Sequence, residues 1–390
     1  MTSPEREGSN KGNLPAPSKE EQAESAELAA RITREIKESG GVIDFARFME
    51  LSLYAPGLGY YVNPARAKGI THDFVTAPDL SPLFGGCLAN FCRPALEELG
   101  GGAIIEVGAG SGALAISLLR TLQQEGPLPE RYLIREVSPA LRALQERQLA
   151  QVVPELLPRI EWIEELPPGI RGVILANELL DALPCARFTM RDGNPRRLGI
   201  STSPMGFTWS IGDVLPQALT RLGGMSNEDY TSELGLGAEA WISETATRLA
   251  AGALLVIDYG FPRHEYYHPD RAGGTLMCHY RHRAHDDPLI LPGLQDITAH
   301  LDFTALAEAA ASAGLRVQGY THQAAFLLDC GLMQQLERET DEHEHRRRVY
   351  ETKILTLPSE MGELFKAMAC TRGLSRPLPG FGLLDLRGRL

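Results

Sequence analysis

Hydrophobic positions follow two regimes along the chain. Leu28, Ile32 and Ile36 recur every fourth residue, which predicts an amphipathic helix from residue 23 to about 39. Phe45, Phe48, Met49 and Leu53 mark a second helix, which runs out in the turn-rich stretch Tyr54-Ala55-Pro56-Gly57-Leu58-Gly59-Tyr60-Tyr61. A third is expected through Leu83 and Phe84 to Leu99. From residue 103 short apolar runs take over, at 103–107, 132–137, 160–166, 172–176 and 252–259. Helical patterns at 113–122 and 139–149 lie between them, the second with Pro139 in its first turn. Strands alternating with helices predict βαβ units, right-handed crossovers and a parallel sheet.

Residues 185–211 alternate in strand fashion around the turn Asp192-Gly193-Asn194, as in an antiparallel hairpin, a meander or a sheet extension. Helical patterns follow at 216–223 and 239–250. The segment 261–300 is rich in Gly, Pro, His and Arg and shows little periodicity. Structureless stretches of that length inside a compact chain are more often functional than idle. Helix returns at 336–354 and 360–369, and no internal repeat is visible. Residues 1–22 are polar and read as a disordered tail. The expected organisation is that tail, a helical cap over 23–100, an α/β domain over 101–330 and a helical extension over 331–390. The α/β domain carries an insertion at about 185–245 and a loop at 261–300.

Composition narrows the possibilities without naming an activity. The 390 residues are 43% apolar and 23% charged, as in ordinary globular proteins. Fifty acidic side chains against 38 basic ones give a net charge of −12, so a nucleic-acid partner is not expected. Apolar runs such as 253–257 fall far short of a membrane span, so no membrane insertion is expected. The first residues lack a signal-peptide core and carry Glu5 and Glu7, which transit peptides avoid. A cytoplasmic protein is the resulting expectation. The six cysteines show no C-x-x-C spacing and read as reduced, mostly buried thiols. His279, His282 and His285 recur with Arg281 and Arg283 between them, but no second cluster supports a metal site. A solvated or substrate-facing basic loop fits them better, with one histidine a candidate proton acceptor.

Glu106-Val107-Gly108-Ala109-Gly110-Ser111-Gly112-Ala113 stands between a predicted strand and a predicted helix. Gly108, Gly110 and Gly112 allow the backbone to turn and to approach a ligand closely. Gly108, Gly110 and Ala113 also satisfy a dinucleotide-binding pattern. Glu106 stands where that fold keeps an apolar residue, and a carboxylate there suits the cationic methionine end of S-adenosylmethionine. Glu136 closes the second strand, where an acid accepts hydrogen bonds from ribose hydroxyls; a surface carboxylate is the plainer alternative.

With these residues in place, the chain resembles the class I S-adenosylmethionine-dependent methyltransferases. More closely, it resembles the MidA-type family, whose mitochondrial members are arginine methyltransferases needed to assemble respiratory complex I. The matching segments include Phe48-Met49 through Tyr60-Tyr61, Asp73-Phe74-Val75-Thr76-Ala77-Pro78, Glu106 to Gly112, and Glu136-Val137-Ser138-Pro139. Ala176-Asn177-Glu178-Leu179-Leu180-Asp181-Ala182-Leu183-Pro184, Ile257-Asp258-Tyr259-Gly260, Gly274-Thr275-Leu276 and Pro292-Gly293-Leu294-Gln295-Asp296-Ile297-Thr298-Ala299-His300 follow in order. The chain departs from the family pattern at His72 and at Met277-Cys278-His279, the latter in the presumed substrate loop. The resemblance implies a Rossmann-like, doubly wound, mostly parallel sheet, S-adenosyl-L-methionine as cofactor, and a protein substrate, a respiratory complex subunit being one possibility. Asp73 and Thr76 correspond to family positions near the methionyl end of the cofactor, though from the residues alone both are equally turn formers.

An arginine acceptor stays charged at any ordinary pH, so carboxylates must grip it and favour proton loss as the bond forms. Ligands of open α/β sheets bind at the C-terminal strand ends, where Glu178 and Asp181 follow the fourth strand. Glu178 is the first candidate and Asp181 the second, with Asn177 orienting the substrate; the plainer reading makes Asp181 a cap. Asp258 either completes the acidic pocket or anchors a loop. Trp162 packs against adenine or in the core. Two other functions compete. Adenine-directed enzymes carry Asn-Pro-Pro-Tyr where this chain has Asn177-Glu178-Leu179, and Pro184-Cys185 only superficially matches a cytosine-methylating nucleophile. A non-catalytic assembly chaperone would retain the same cofactor pocket.

Overall fold

Ile104, Ile105 and Val107, like Val173, Ile174 and Leu175, are consecutive or near-consecutive apolar residues buried whichever way they point. That pattern belongs to strands covered on both faces, as in the interior of a parallel sheet. The computed structural model describes residues 14–64, 75–222, 229–338 and 341–390. The chain divides into two compact units, one made of residues 75–181, 237–266 and 300–390, the other of residues up to 74 with 182–236 and 267–299.

The first unit is built on one sheet. Its main strands are β1 (Ala103–Val107), β2 (Arg131–Arg135), β3 (Ile160–Ile163), β4 (Ile170–Asn177), β5 (Leu249–Phe261), β6 (Arg316–His322) and β7 (Phe365–Arg372). They lie in the order β6-β7-β5-β4-β1-β2-β3, with the short strand Leu301–Asp302 beside the end of β5. β3, β2, β1, β4 and β5 are parallel, whereas β7 runs antiparallel to both of its neighbours. This is the expected α/β fold with a mostly parallel sheet. Strand order reverses beside β1, so the C-terminal ends of β1 and β4 flank the topological switch point. Helices Pro82–Leu99 and Ala113–Glu125 supply Phe84, Leu88, Phe91, Leu114, Leu118 and Leu122 to the same core as Ile104 and Val173.

Close strand packing makes one glycine testable. Gly172 in β4 has φ +148°, and a Cβ there would lie 1.8 Å from the carbonyl oxygen of Ala103 in β1. Backbone cannot yield as a flexible side chain does. Gly172→Ala is expected to cost at least about 3 kcal/mol, read as lost thermal stability or insoluble expression.

The second unit begins with helix Lys19–Glu38, where Ser18 and Glu21 form a capping box. Helix Phe45–Tyr54 follows. The insertion folds as strands Ala186–Arg191, Asn194–Ser203, Gly206–Val214 and Thr231–Leu234, which join Ile43–Asp44 in an antiparallel sheet of their own. Leu28, Ile32, Phe48, Ile200 and Ile297 share its core.

Several expectations need correction. Helix begins at Lys19, inside the stretch expected as a tail, because the Ser18 cap satisfies its first amides. The expected cap over 23–100 divides between the units, with helix Pro82–Leu99 on the main sheet. The segment 261–300 is not structureless: Met277–Tyr280, Arg283–His285 and Asp296–Thr298 form a three-stranded sheet, with strands too short to print an alternation. The helix expected over 336–354 is two, Leu332–Glu337 and Glu342–Thr356. The helix expected over 360–369 ends at Leu364, and Phe365–Arg372 is a strand inside the sheet rather than part of a helical extension. Its Lys, Ala and Met residues favour helix locally, and pairing on both sides overrides that preference.

Candidate functional site

Between β1 and helix Ala113–Glu125 the chain turns through Gly108 (φ +73°), Gly110 (φ +53°) and Gly112 (φ +87°). All three occupy the left-handed region, which glycine enters without steric cost. A Cβ on Gly110 would meet none of the described residues within 4 Å, so among them the turn leaves open space beside its backbone.

Glu106, the penultimate residue of β1, is buried, and Tyr132 Oη donates to its carboxylate at 2.6 Å. Burial pushes this carboxyl up to about 8, and the charges of Glu136 and Asp79 add to the effect. Glu136 follows β2. Its Oε1 accepts from Ser138 N at 2.8 Å and its Oε2 from Gln145 Nε2 at 3.0 Å, while burial raises its pKa. Thr76 caps helix Ala77–Leu80 and donates to Asp79 at 2.8 Å; Asp79 in turn accepts from Ser111 in the glycine turn. Thr76 is thereby tied to the turn through Asp79. Asp73 lies outside the described residues.

The second cluster stands at the end of β4. Glu178 has φ +49°, a left-handed conformation that costs a side-chain-bearing residue about 1 kcal/mol or more. Its N–H donates to Ile257 O at 2.9 Å, and its Oε1 accepts from Asn177 Nδ2 at 3.1 Å and Ala77 N at 3.3 Å. Asn177 Oδ1 is buried without a hydrogen-bond partner among the described residues. Burial pushes Glu178 up to about 8, and the charges acting most strongly on it, those of Asp258 and Asp79, are both negative. Asp258 is buried and acts as the anchor of this loop: Oδ2 accepts from Leu180 N at 2.9 Å and Asp181 N at 3.3 Å, Oδ1 from Tyr259 N at 2.8 Å. Burial raises Asp258, and these amides pull it back. Asp181 is buried beside them. Asp258→Asn sets an N–H donor against a backbone N–H; a roughly tenfold loss of kcat with unchanged cofactor affinity is expected from steady-state kinetics and calorimetry.

Of the three histidines expected in a solvated or substrate-facing loop, His285 is buried, His279 half-buried and His282 exposed. Burial with the neighbouring His285 charge lowers His279 to about 4, a poor proton acceptor at neutral pH. Cys185 is buried against Met49 with Sγ to Sδ at 3.9 Å, and burial raises its thiol well above the ordinary range, which removes the nucleophile reading.

Comparison with known proteins identifies the family. The model of an S-adenosyl-L-methionine-dependent methyltransferase family matches residues 87–321, more than half of the chain. The chain belongs to this family. The methyltransferase is 41% identical to a Burkholderia thailandensis protein crystallised with S-adenosyl-homocysteine, at TM-score 0.91, over 97% of this chain and 100% of that one. It is 29% identical to the Danio rerio mitochondrial protein arginine methyltransferase NDUFAF7 over 84% of this chain and 82% of the relative. The Homo sapiens counterpart is 27% identical over 85% and 80%. These curated relatives are named as mitochondrial, which overturns the cytoplasmic expectation; side-chain chemistry near residue 1 does not fix a compartment.

S-adenosyl-L-methionine is the cofactor of this methyltransferase, and the residues present suit it. The open glycine turn, a buried carboxylate at Glu106 on which no cation acts among the described residues, and the tethered acid Glu136 suit its backbone-facing, cationic and hydroxyl-bearing parts. The sequence alone does not single out Gln145, Asp79 or Tyr132. Gln145 was visible as a polar residue between Leu141 and Leu149 on an otherwise apolar helix face; Asp79 and Tyr132 left no signal, since their roles depend on contacts across strands and loops.

Proposed function

We propose that the methyltransferase modifies arginine side chains of a partner protein. The observation that carries this reading is the acidic end of β4. Asp181 and Asp258 are buried beside the half-buried Glu178, and desolvation together with the charge of Asp258 pushes the Glu178 carboxyl up to about 8. Such a pocket gains most from a ligand that brings positive charge and several donors in a plane, which a guanidinium does. The relatives named as protein arginine methyltransferases support the same acceptor.

Bound S-adenosylmethionine supplies a methyl group activated by its sulfonium. In this reading Glu106 faces the cationic methionyl end, Gly108, Gly110 and Gly112 line the backbone approach, Glu136 takes the ribose and Thr76 holds the turn through Asp79. The charge of the arriving guanidinium draws Glu178 into its carboxylate form; Glu178 and Asp181 then grip the group and aim one nitrogen along the transfer axis, and Glu178 accepts the proton released as the N–C bond forms and the S–C bond breaks. Asn177 orients Glu178 through its amide and offers Oδ1 to a donor of the acceptor group. The resemblance to the MidA-type family makes a respiratory complex subunit the first acceptor to try.

The test is methyl transfer from isotope-labelled S-adenosylmethionine into a lysate lacking the endogenous enzyme, followed by mass spectrometry. Methylarginine in a labelled protein is the expected result. Label confined to RNA or small molecules overturns the acceptor, and no label at all favours a binding protein without turnover.

A further inference from the structure

Gln145 is fully buried on the face of helix Pro139–Val152 that also buries Leu141 and Leu149. An amide on an apolar stripe is costly unless its polar atoms are paired. Here Nε2 donates to Gly110 O at 2.9 Å and to Glu136 Oε2 at 3.0 Å, while Oε1 accepts from Trp162 Nε1 at 2.9 Å. Three separate segments meet on one side chain: the glycine turn after β1, the acid after β2, and β3. An indole N–H can only donate, so Trp162 fixes the amide with its oxygen toward β3 and its NH2 toward Gly110 and Glu136.

The remaining geometry concerns Glu136. Each of its carboxylate oxygens receives a protein donor, Oε1 from Ser138 N and Oε2 from Gln145. The Val137 N–H also bonds to this carboxylate, so three protein donors leave about one of its roughly four lone-pair sites open to a ribose hydroxyl. Because the amide is neutral, it orients the carboxylate without cancelling its charge, as a lysine or arginine in its place would.

We propose that Gln145 is a positioning residue for the nucleoside half of the cofactor: held by Trp162, it aims the Glu136 carboxylate at a ribose hydroxyl and keeps the glycine turn in register with it. The inference rests on the reading of Glu136 as the ribose acid. It assigns part of the nucleoside affinity to a side chain that need not touch the nucleoside.

The experiment is calorimetric titration of the full chain with S-adenosyl-homocysteine, comparing Gln145→Met, Glu136→Ala and the double variant. Methionine preserves chain length and helix propensity, so the buried stripe is kept. Glu136→Ala is expected to weaken binding about 100-fold and Gln145→Met about 20-fold, the range for hydrogen bonds to charged groups. The double variant should bind within about threefold of Glu136→Ala, since Gln145 acts through Glu136. A Gln145→Met protein that binds like the wild type while Glu136→Ala does not would reduce Gln145 to a packing role. Multiplicative losses in the double variant would also overturn the inference. Wild-type binding by Glu136→Ala would instead remove the ribose reading, and the inference with it. If Gln145→Met does not fold, Gln145→Glu keeps the acceptor for Trp162 and sets a second carboxylate against Glu136. It should then bind at least about 50-fold more weakly, and wild-type affinity in that variant overturns the proposal.

Discussion

Glu178→Gln is expected to lower kcat about a thousandfold while S-adenosyl-homocysteine affinity stays within about threefold of the wild type. Glutamine retains the size of the side chain and an oxygen able to accept from Asn177 Nδ2 and Ala77 N, so the loop after β4 keeps its shape. What disappears is the group able to take a proton and to carry the charge that faces a guanidinium. The pH profile separates this from a folding defect. Burial holds Glu178 up to about 8, so in the free wild-type enzyme the carboxylate form grows as pH rises through that value. Wild-type kcat/KM should therefore rise with pH to a plateau above about 8, and the residual activity of Glu178→Gln should lack that limb. A variant with wild-type kcat would remove Glu178 from the chemistry.

Glu106→Gln is expected to weaken S-adenosyl-homocysteine binding about 100-fold and, at the same time, to make the cofactor-free protein more stable at alkaline pH. The opposed signs follow from one cause. Glu106 is buried with Tyr132 as its hydrogen-bond donor, and burial lifts it from the ordinary carboxyl range to about 8. A carboxyl raised on folding contributes stability that is fully present below its unfolded pKa and is lost as pH climbs through its folded pKa. The wild type without cofactor should thus lose stability between about pH 4.5 and about pH 8, where an uncompensated charge is forced into the core. Glutamine never ionises. The variant's Tm relative to the wild type should rise by at least about 3 °C between pH 5 and pH 9, measured by differential scanning fluorimetry without ligand. Saturating S-adenosyl-homocysteine should reverse the ranking, because only the carboxylate gains a cationic partner. A Tm difference that does not change with pH would mean that Glu106 is already ionised and paired.

Local chemistry explains which parts of the candidate site are legible in the sequence. Glu106, Gly108, Gly110, Gly112 and Glu136 lie within segments whose strand–turn–helix pattern prints directly in the residues, and the turn adopts the left-handed conformations that glycine signals. Glu178 was legible because it follows an apolar strand, and strand ends carry the ligands of such sheets. The choice between the two roles open to Asp258 was not: it anchors the loop by reaching Leu180 and Asp181 only because β5 lies beside β4.

The chain by itself determined the alternation of strands and helices, the glycine turn and the ordered string of motifs, because each depends on neighbours a few residues apart. Tertiary structure alone decided three matters. It made Phe365–Arg372 a strand, since pairing with β5 and β6 outweighs the helical leaning of its residues. It assembled segments far apart in sequence, those before residue 75, 182–236 and 267–299, into one unit. It also set the proton affinities of Glu106 and Glu178, because desolvation is a property of everything packed around a carboxyl and none of it is written in the adjoining residues.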